Sequence, residues 1–274
     1  MKHLTELEQD ILEIIKIVKN EGIKERVHSA DTSFYEWTRE DRALKAQIEK
    51  VFEIKLITLF YDLRKKYGRI ATQDEYTQEY LRIAMAKIEK QDWFSFFEID
   101  FVKSCVIWRS DRAYKSNLVE ITTAYQLQKL GYSVFRELYV DYVAGVDLVA
   151  VKNGKCWYIH VTKDSKWSRD KVLTKGTYRS YYVNYKKVSF ERDFENHVEL
   201  FYSDDSYDYN SNNIVNNGMP LFLDGYLKQK LNDFNSFKWD EDNQVLELLK
   251  SMKTAGAVTY NTKWVSCDNK LVVK

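Results

Sequence analysis

The dipeptide Asn153-Gly154 stands between two runs of β-branched and apolar residues. Asn-Gly is the strongest short hairpin signal, because both central residues of a type I′ turn need a positive φ. The run before it, VDLVAV, is closed by Lys152, and the run after it, CWYIHVT, lies in a strand predicted from Lys155 to Thr162. The sequence therefore predicts an antiparallel hairpin with a two-residue turn.

A two-residue turn also sets the register of this hairpin. Lys152 then faces Lys155, and counting back from the turn places Asp147 opposite His160. Side chains directly opposite each other in an antiparallel pair are about 5 Å apart at Cβ. A carboxylate and an imidazole are therefore expected on one face of a half-buried hairpin. Alternation sends the core residues to the other face, and these are Leu148, Ala150, Trp157, Ile159 and Val161.

The order of elements around the hairpin resembles that of the PD-(D/E)XK nuclease superfamily. A helix that carries Glu120 in NLVEITTAYQLQKLGY precedes a strand, Asp147 heads the hairpin, and the return strand follows. The LxxxGYxV step and the hairpin look most like the Holliday-junction resolvase and Mrr-like branch. The resemblance covers residues 115 to about 205. It implies an α/β fold in which a restriction-endonuclease-like mixed sheet is flanked by helices.

The resemblance also implies a metal site. In that superfamily the aspartate and a following Glu or Asp hold a divalent metal, a lysine two residues further on positions or activates water, and an acid on the first helix completes the site. Glu120 matches the acid on the first helix, and Asp147 matches the aspartate. Together they would hold Mg²⁺ or Mn²⁺. The Glu position is His160, thirteen residues after Asp147, and the Lys position is Thr162. Two alternatives follow: a metal-dependent endonuclease acting on DNA, or a binding or assembly subunit that lost the catalytic pair.

His160 and Lys163 are further candidate catalytic residues. A neutral imidazole opposite a carboxylate can ligate a transition metal, although histidine is a poor ligand for magnesium. The alternative is an ordinary, partly buried strand histidine. Lys163 is adjacent to the expected lysine position, but strand alternation turns it to the opposite face unless a bulge re-aims it. Asp147 and Glu120 also have alternatives without a metal. Asp147 can be a strand-edge or turn acid, and Glu120 a solvated acid on the helix surface.

A basic and aromatic stretch follows the return strand. Between Lys155 and Lys187 there are nine Lys or Arg residues and two acids, Asp164 and Asp170. Cations pair with phosphates and aromatic rings stack on bases, which suits a nucleic-acid surface. The candidate binding residues are Lys166, Arg169, Lys171, Lys175 and Arg179. The alternative is a solvated helix face. Because the formal charge of the whole chain is only +1, nucleic-acid affinity would have to come from such a local patch.

We expect two domains, a helical N-terminal domain at residues 1–110 and a nuclease-like α/β domain with C-terminal helices at residues 111–274. Apolar residues at helical spacing predict helices at Leu4–Lys19, at Ala43–Lys66 and from Thr72 to about Lys90. The third of these helices begins with a capping box, in which Thr72 and Glu75 satisfy each other's backbone N–H groups. The helical region would provide an interface for a protein partner or a homodimer. A structural or immunity-type partner protein is a third function class.

The C-terminal third has weaker signals. Residues 206–218, SYDYNSNNIVNNG, are rich in turn formers and predict a surface loop. The segments FLDGYLKQKLNDF and NQVLELLKSMK predict two helices, and the end of the chain alternates like a hairpin around Asp268-Asn269. His197 has no Cys or His neighbour at ligand spacing, so no zinc site is predicted there.

The expected location is cytoplasmic. The cysteines are far apart, odd in number and without metal-type spacing, which is typical of thiols in a reducing compartment; they are Cys105, Cys156 and Cys267. The N-terminal MKHLTELEQDILEIIKIV has acids throughout. We therefore expect neither a signal peptide nor a membrane span.

Overall fold

The computed structural model describes residues 4–24, 56–90, 98–136, 140, 145–153, 155–165, 168–170, 178–183, 186–191, 197–204, 212–232, 237–238, 264–267 and 270–273. The chain divides into two compact units, residues 1–118 with 216–219 and residues 119–215 with 220–274. The sequence predicts a domain boundary at residue 110, whereas the two units divide after Leu118. No helix within the described ranges is both long and apolar enough to cross a membrane.

The first unit is built mainly from helices. They are α1 (Glu6–Asn20), α2 (Leu56–Tyr67), α3 (Gln73–Ile88) and the first part of α4 (Ile99–Lys129). The predicted capping box is confirmed, because Thr72 Oγ1 accepts from the Glu75 N–H at 3.3 Å and Glu75 Oε2 accepts from the Thr72 N–H at 2.8 Å. The helix predicted from Ala43 is described from Leu56 onward, and residues 43–55 lie outside the described residues.

Aromatic rings form the core of the first unit. Phe60, Tyr76 and Tyr114 meet with ring centroids 5.4 to 6.1 Å apart. All three side chains are buried. Tyr114 also donates its O–H to the Ala71 carbonyl at 2.7 Å, which satisfies the polar end of a buried ring. Burial raises the pKa of Tyr114, so the hydroxyl stays protonated and can keep donating.

The second unit is built around a mixed sheet. The first strands of this unit are β1 (Ser133–Phe135), β2 (Leu148–Lys152), β3 (Lys155–Lys163), β4 (Tyr178–Val183), β5 (Lys186–Glu191) and β6 (His197–Tyr202). β4 and β5 form a separate two-stranded sheet. The strand order is β1-β2-β3-β6, in which β1/β2 and β2/β3 are antiparallel and β3/β6 is parallel. The chain is therefore a mixed α/β protein whose sheet is accompanied by helices. A restriction-endonuclease-like fold in particular stays a prediction.

The remaining elements follow β6. They are β7 (Asn213–Asn216), β8 (Met219–Phe222), α5 (Asp224–Asn232), β9 (Phe237–Lys238), β10 (Trp264–Cys267) and β11 (Lys270–Val273). α5 confirms the first predicted C-terminal helix, and the β10/β11 pair confirms the predicted terminal hairpin. The predicted helix NQVLELLKSMK lies outside the described residues.

The predicted loop at residues 206–218 is wrong in its second half. Residues 213–216 form β7, which pairs with β8. Asn217 and Gly218, both at positive φ (47° and 81°), turn the chain between the two strands. This is a second Asn-Gly turn of the kind seen at Asn153. β7 has only two apolar residues, Ile214 and Val215, and they are adjacent, while Pro220 interrupts the run after the turn, so the alternation that marks a hairpin is weak there.

Candidate functional site

The structure confirms the predicted hairpin and its register. β2 and β3 pair antiparallel from Lys152↔Lys155 to Leu148↔Ile159. Asn153 has φ 52°, as a type I′ turn requires. The Asp147 N–H donates to the Ile159 carbonyl at 3.0 Å, so the pairing extends one residue beyond β2.

This register brings Asp147 and His160 together on one face. His160 Nδ1 lies 3.4 Å from Asp147 Oδ2, and the same oxygen accepts the backbone N–H of Val161 at 2.7 Å. The Asp147 side chain is 24% exposed and the His160 side chain 2% exposed. The carboxylate is thus held in place by the return strand but remains open to solvent, while the imidazole is enclosed.

The hairpin is buried on both faces, not half-buried as predicted. The predicted core residues Leu148, Ile159 and Val161 are indeed buried. On the Asp147 face, Val149 and Tyr158 are buried as well. β2 lies between β1 and β3, and β3 lies between β2 and β6, and strands of a sheet covered on both faces read as nearly continuous apolar runs.

β6 brings two further polar residues to the same face. It lies parallel to β3 with Tyr158↔His197 and His160↔Glu199 in register. The rings of His160 and His197 meet edge to face at 4.7 Å between centroids and 72° between planes. Sequence reasoning missed His197 and Glu199, because no local signal shows which later strand pairs with β3. Burial alternates along HVELFY in the structure, but this alternation does not show which strand is the partner.

Glu120 lies on α4 as predicted, with a half-exposed side chain. Within the described ranges, no group of three or more His, Cys, Asp or Glu residues is placed to hold a metal ion. The structure therefore joins Asp147 to His160, while metal ligation by Glu120 and Asp147 stays a prediction.

Thr162 and Lys163 lie on opposite faces of β3. Thr162 is in register with Phe201 and Lys163 with Tyr202, and the pairing continues without a bulge from Tyr158 onward. Residues two apart share a face, so Thr162 lies on the Asp147 face and Lys163 does not. The Lys163 ammonium forms an ion pair with Asp204. This geometry gives Lys163 no direct part in chemistry at Asp147.

The structure describes only part of the basic stretch. Lys166, Lys171 and Lys175 lie outside the described residues. Arg179 is on β4, in register with Phe190 of β5. The alternative of a helix face is therefore wrong for residues 178–183 and 186–191, which form an antiparallel pair.

Arg169 is the best-described candidate of the basic stretch. Its Nε and Nη2 donate to the two carboxylate oxygens of Asp164, both at 2.6 Å. These hydrogen bonds raise the pKa of Arg169, so the guanidinium stays charged. Its Cζ lies 5.5 Å from the Phe201 ring centroid. Arg169 is thus oriented by Asp164 against an aromatic ring, while its side chain remains 59% exposed.

No family model matches the sequence. Comparisons with curated proteins and with solved structures gave no match either.

Proposed function

We propose that the chain is a metal-dependent, endonuclease-like protein that acts on nucleic acid, with DNA as the expected substrate. The observation that carries the proposal is the contact between Asp147 and His160 on one face of a mixed sheet. The helix with Glu120 precedes this sheet, in the order that the resemblance implies. A solvent-accessible carboxylate held by a strand backbone is a suitable first ligand for a divalent cation.

The donor chemistry of the three residues fits such a cation. An ionised carboxylate only accepts hydrogen bonds, and its oxygens are hard ligands of the kind that Mg²⁺ binds. His160 faces Asp147 with Nδ1, so its imidazole would orient the carboxylate and would not share the same cation. A Mg²⁺ or Mn²⁺ ion held by Asp147 and Glu120 would activate water and offset charge on the scissile phosphate.

Cleavage is expected to require both a divalent ion and Asp147. The Asp147→Asn variant keeps the size of the side chain but removes the negative charge that holds the cation. The cleavage rate should fall at least about 100-fold, since the metal contributes several kcal/mol of charge stabilisation. The measurement is cleavage of labelled duplex, single-stranded and branched DNA with Mn²⁺, with Mg²⁺ and with a chelator.

The matched control is Asp170→Asn, which changes an exposed acid in the same unit. It should leave the rate unchanged, and thermal unfolding should show that both variants fold. Cleavage that survives the chelator, or an active Asp147→Asn protein, contradicts the proposed mechanism.

A second candidate function is a nucleic-acid-binding or assembly subunit that does not cleave. Two observations favour it. Thr162, which cannot act as the lysine, lies on the Asp147 face, and the described residues contain no group of three metal-ligating side chains. In this case binding would depend on the basic stretch and not on the site around Asp147.

Charge reversal in the basic stretch tests this second function. The triple change Lys171→Glu, Lys175→Glu and Arg179→Glu should weaken DNA binding at least about 10-fold at low salt, because each lost phosphate contact releases one counterion fewer. It should also flatten the dependence of the dissociation constant on salt. Fluorescence anisotropy with labelled DNA at several salt concentrations measures both effects.

The control reverses three exposed lysines of the first unit, Lys16, Lys19 and Lys90. Equal effects of the two triple variants would assign binding to net charge alone. If the wild-type protein binds no nucleic acid, the endonuclease and the nucleic-acid-binding subunit are both excluded. The remaining hypothesis is then a structural or immunity-type partner protein.

A further inference from the structure

The helix α1 carries exposed apolar side chains beside its buried ones. Its buried residues include Ile14, Ile17 and Val18. Leu12 is 47% exposed and Ile15 is 54% exposed, which places both on the surface of the first unit. Surface helices ordinarily present polar residues outside their buried stripe, and adjoining exposed apolar residues mark an interaction surface. The exposed flank of α1 is therefore a candidate docking surface.

Opposite charges flank the exposed apolar pair. Residues three or four apart lie on one helix face, so Glu8, Leu12, Ile15 and Lys19 form a single row, which we call the α1 stripe. An acid lies at its N-terminal end, two apolar side chains lie at its centre and a cation lies at its C-terminal end. Lys19 is exposed and Glu8 is partly exposed. The α1 stripe therefore has a polarity that a docking partner must match.

The α1 stripe is complementary to itself when two copies run antiparallel. The spacing from Glu8 to Leu12 equals the spacing from Ile15 to Lys19. A two-fold axis between Leu12 and Ile15 would therefore place Glu8 of each copy at the height of Lys19 of the other, because every residue advances the helix by the same rise. A two-fold interface uses the same patch on both subunits in this way. A parallel pair would instead bring like charges together, which is unfavourable.

The acidic end of the α1 stripe is held in place by the helix cap. Glu8 Oε2 accepts the backbone N–H of Thr5 at 2.9 Å and the Thr5 hydroxyl at 3.0 Å. This capping box fixes the carboxylate in the first turn of α1. Lys19 lies in the last turn, where the helix dipole favours a cation. Both charges are thus set at their ends before any partner binds, which lowers the entropy cost of docking.

We propose that the α1 stripe is the interface of a two-fold homodimer, in which the α1 helices of two copies pack antiparallel. The occupant of this surface is a second copy of this chain. α1 has 15 residues, and the contact of one such helix pair lies at or below the about 1,200 Å² at which standard interfaces begin. The dimer is therefore weak, with a dissociation constant in the micromolar range. The inference is independent of the proposed function, because it involves neither Asp147 nor the basic stretch.

Sedimentation velocity of the full chain tests the dimer, at concentrations from about 1 to about 300 μM that bracket the affinity of a small interface. We expect monomers to convert to dimers as the concentration rises. Ile15→Glu places a charge at the centre of the interface and should raise the dissociation constant at least about 10-fold. Gln9→Glu adds the same charge at an exposed position of α1 outside the stripe and should change nothing. DNA binding is compared at concentrations at which the wild type is monomeric, so that a change at Lys19 does not act through dimerisation.

A charge exchange tests the antiparallel arrangement. Lys19→Glu brings two carboxylates together at both ends of the interface and should raise the dissociation constant about 3- to 30-fold at low salt. Adding Glu8→Lys to this variant exchanges the two charges and should restore the wild-type constant. A parallel pair would not be restored, since like charges would still meet. Thermal unfolding checks that each variant folds, because Glu8→Lys also removes a capping contact.

A wild-type protein that stays monomeric at every concentration would overturn the proposal. A folded Ile15→Glu variant that dimerises like the wild type would also overturn it, because the interface would then lie elsewhere. Failure of the folded double variant to regain the affinity lost in Lys19→Glu would reject the antiparallel packing. Restored affinity in the double variant, with no effect of Gln9→Glu, would uphold it.

Discussion

The double variant His160→Glu, Thr162→Lys is expected to show metal-dependent cleavage at least about 100-fold above the wild type, since a positioned acid or base contributes about 100- to 10,000-fold. Both positions lie on the Asp147 face, because β3 pairs with β6 without a bulge from Tyr158 to Lys163. The glutamate supplies a second hard oxygen ligand, and the lysine a cation near the attacking water. Rates are measured with Mn²⁺ and with Mg²⁺, and Mg²⁺ should gain more because an imidazole is replaced by a carboxylate.

Two controls separate chemistry from packing. His160 is 2% exposed and its ring contacts His197, so a side chain of different shape affects stability there. The variant His160→Gln, Thr162→Lys has nearly the same shape without the second carboxylate and should stay at the wild-type rate. If the double variant folds, binds DNA and is as inactive as the wild type, the site does not have nuclease geometry. If the wild type cleaves and the double variant does not, His160 itself takes part in catalysis.

Replacing Gly218 by alanine is expected to lower the free energy of unfolding by about 2 to 5 kcal/mol. Gly218 has φ 81°, and an added Cβ would lie 2.0 Å from the Ile23 carbonyl oxygen. A left-handed conformation costs a residue with a Cβ about 1 to 2 kcal/mol, and overpacking adds about 1 to 3 kcal/mol. The obstacle is backbone, which cannot swing aside as a flexible side chain can. Urea unfolding followed by circular dichroism measures the change.

Gly68→Ala is the matched control for this variant. Gly68 has φ 66°, but nothing lies within 4 Å of its added Cβ. It should cost only the backbone strain, about 1 to 2 kcal/mol. Equal losses of unfolding free energy for the two variants would show that the clash between the added Cβ and the Ile23 carbonyl costs nothing.

The two Asn-Gly dipeptides show how far local signals reach. Asn153-Gly154 is flanked by apolar runs, and its hairpin and register follow from the sequence. Asn217-Gly218 has the same turn chemistry, but its flanks are the short run NIVN and a run that contains Pro220, so the sequence predicts a loop there. The partners that stabilise it are distant in the chain, since the Asn217 side-chain amide donates to the Val18 carbonyl at 2.6 Å and the Ile23 N–H donates to the Asn217 carbonyl at 2.9 Å.

The contact between Asp147 and His160 follows from local sequence. A two-residue turn sets the register, and the two-residue period of a strand then decides which side chains share a face. The approach of His197 and Glu199 and the burial of both hairpin faces depend on long-range pairing, and no local pattern predicts them. Parallel strands need a long crossover, and the residues between β3 and β6 carry no local signal of which strands will pair. That pairing depends on burial over the whole unit, and it places His197 and Glu199 beside the polar face of β3.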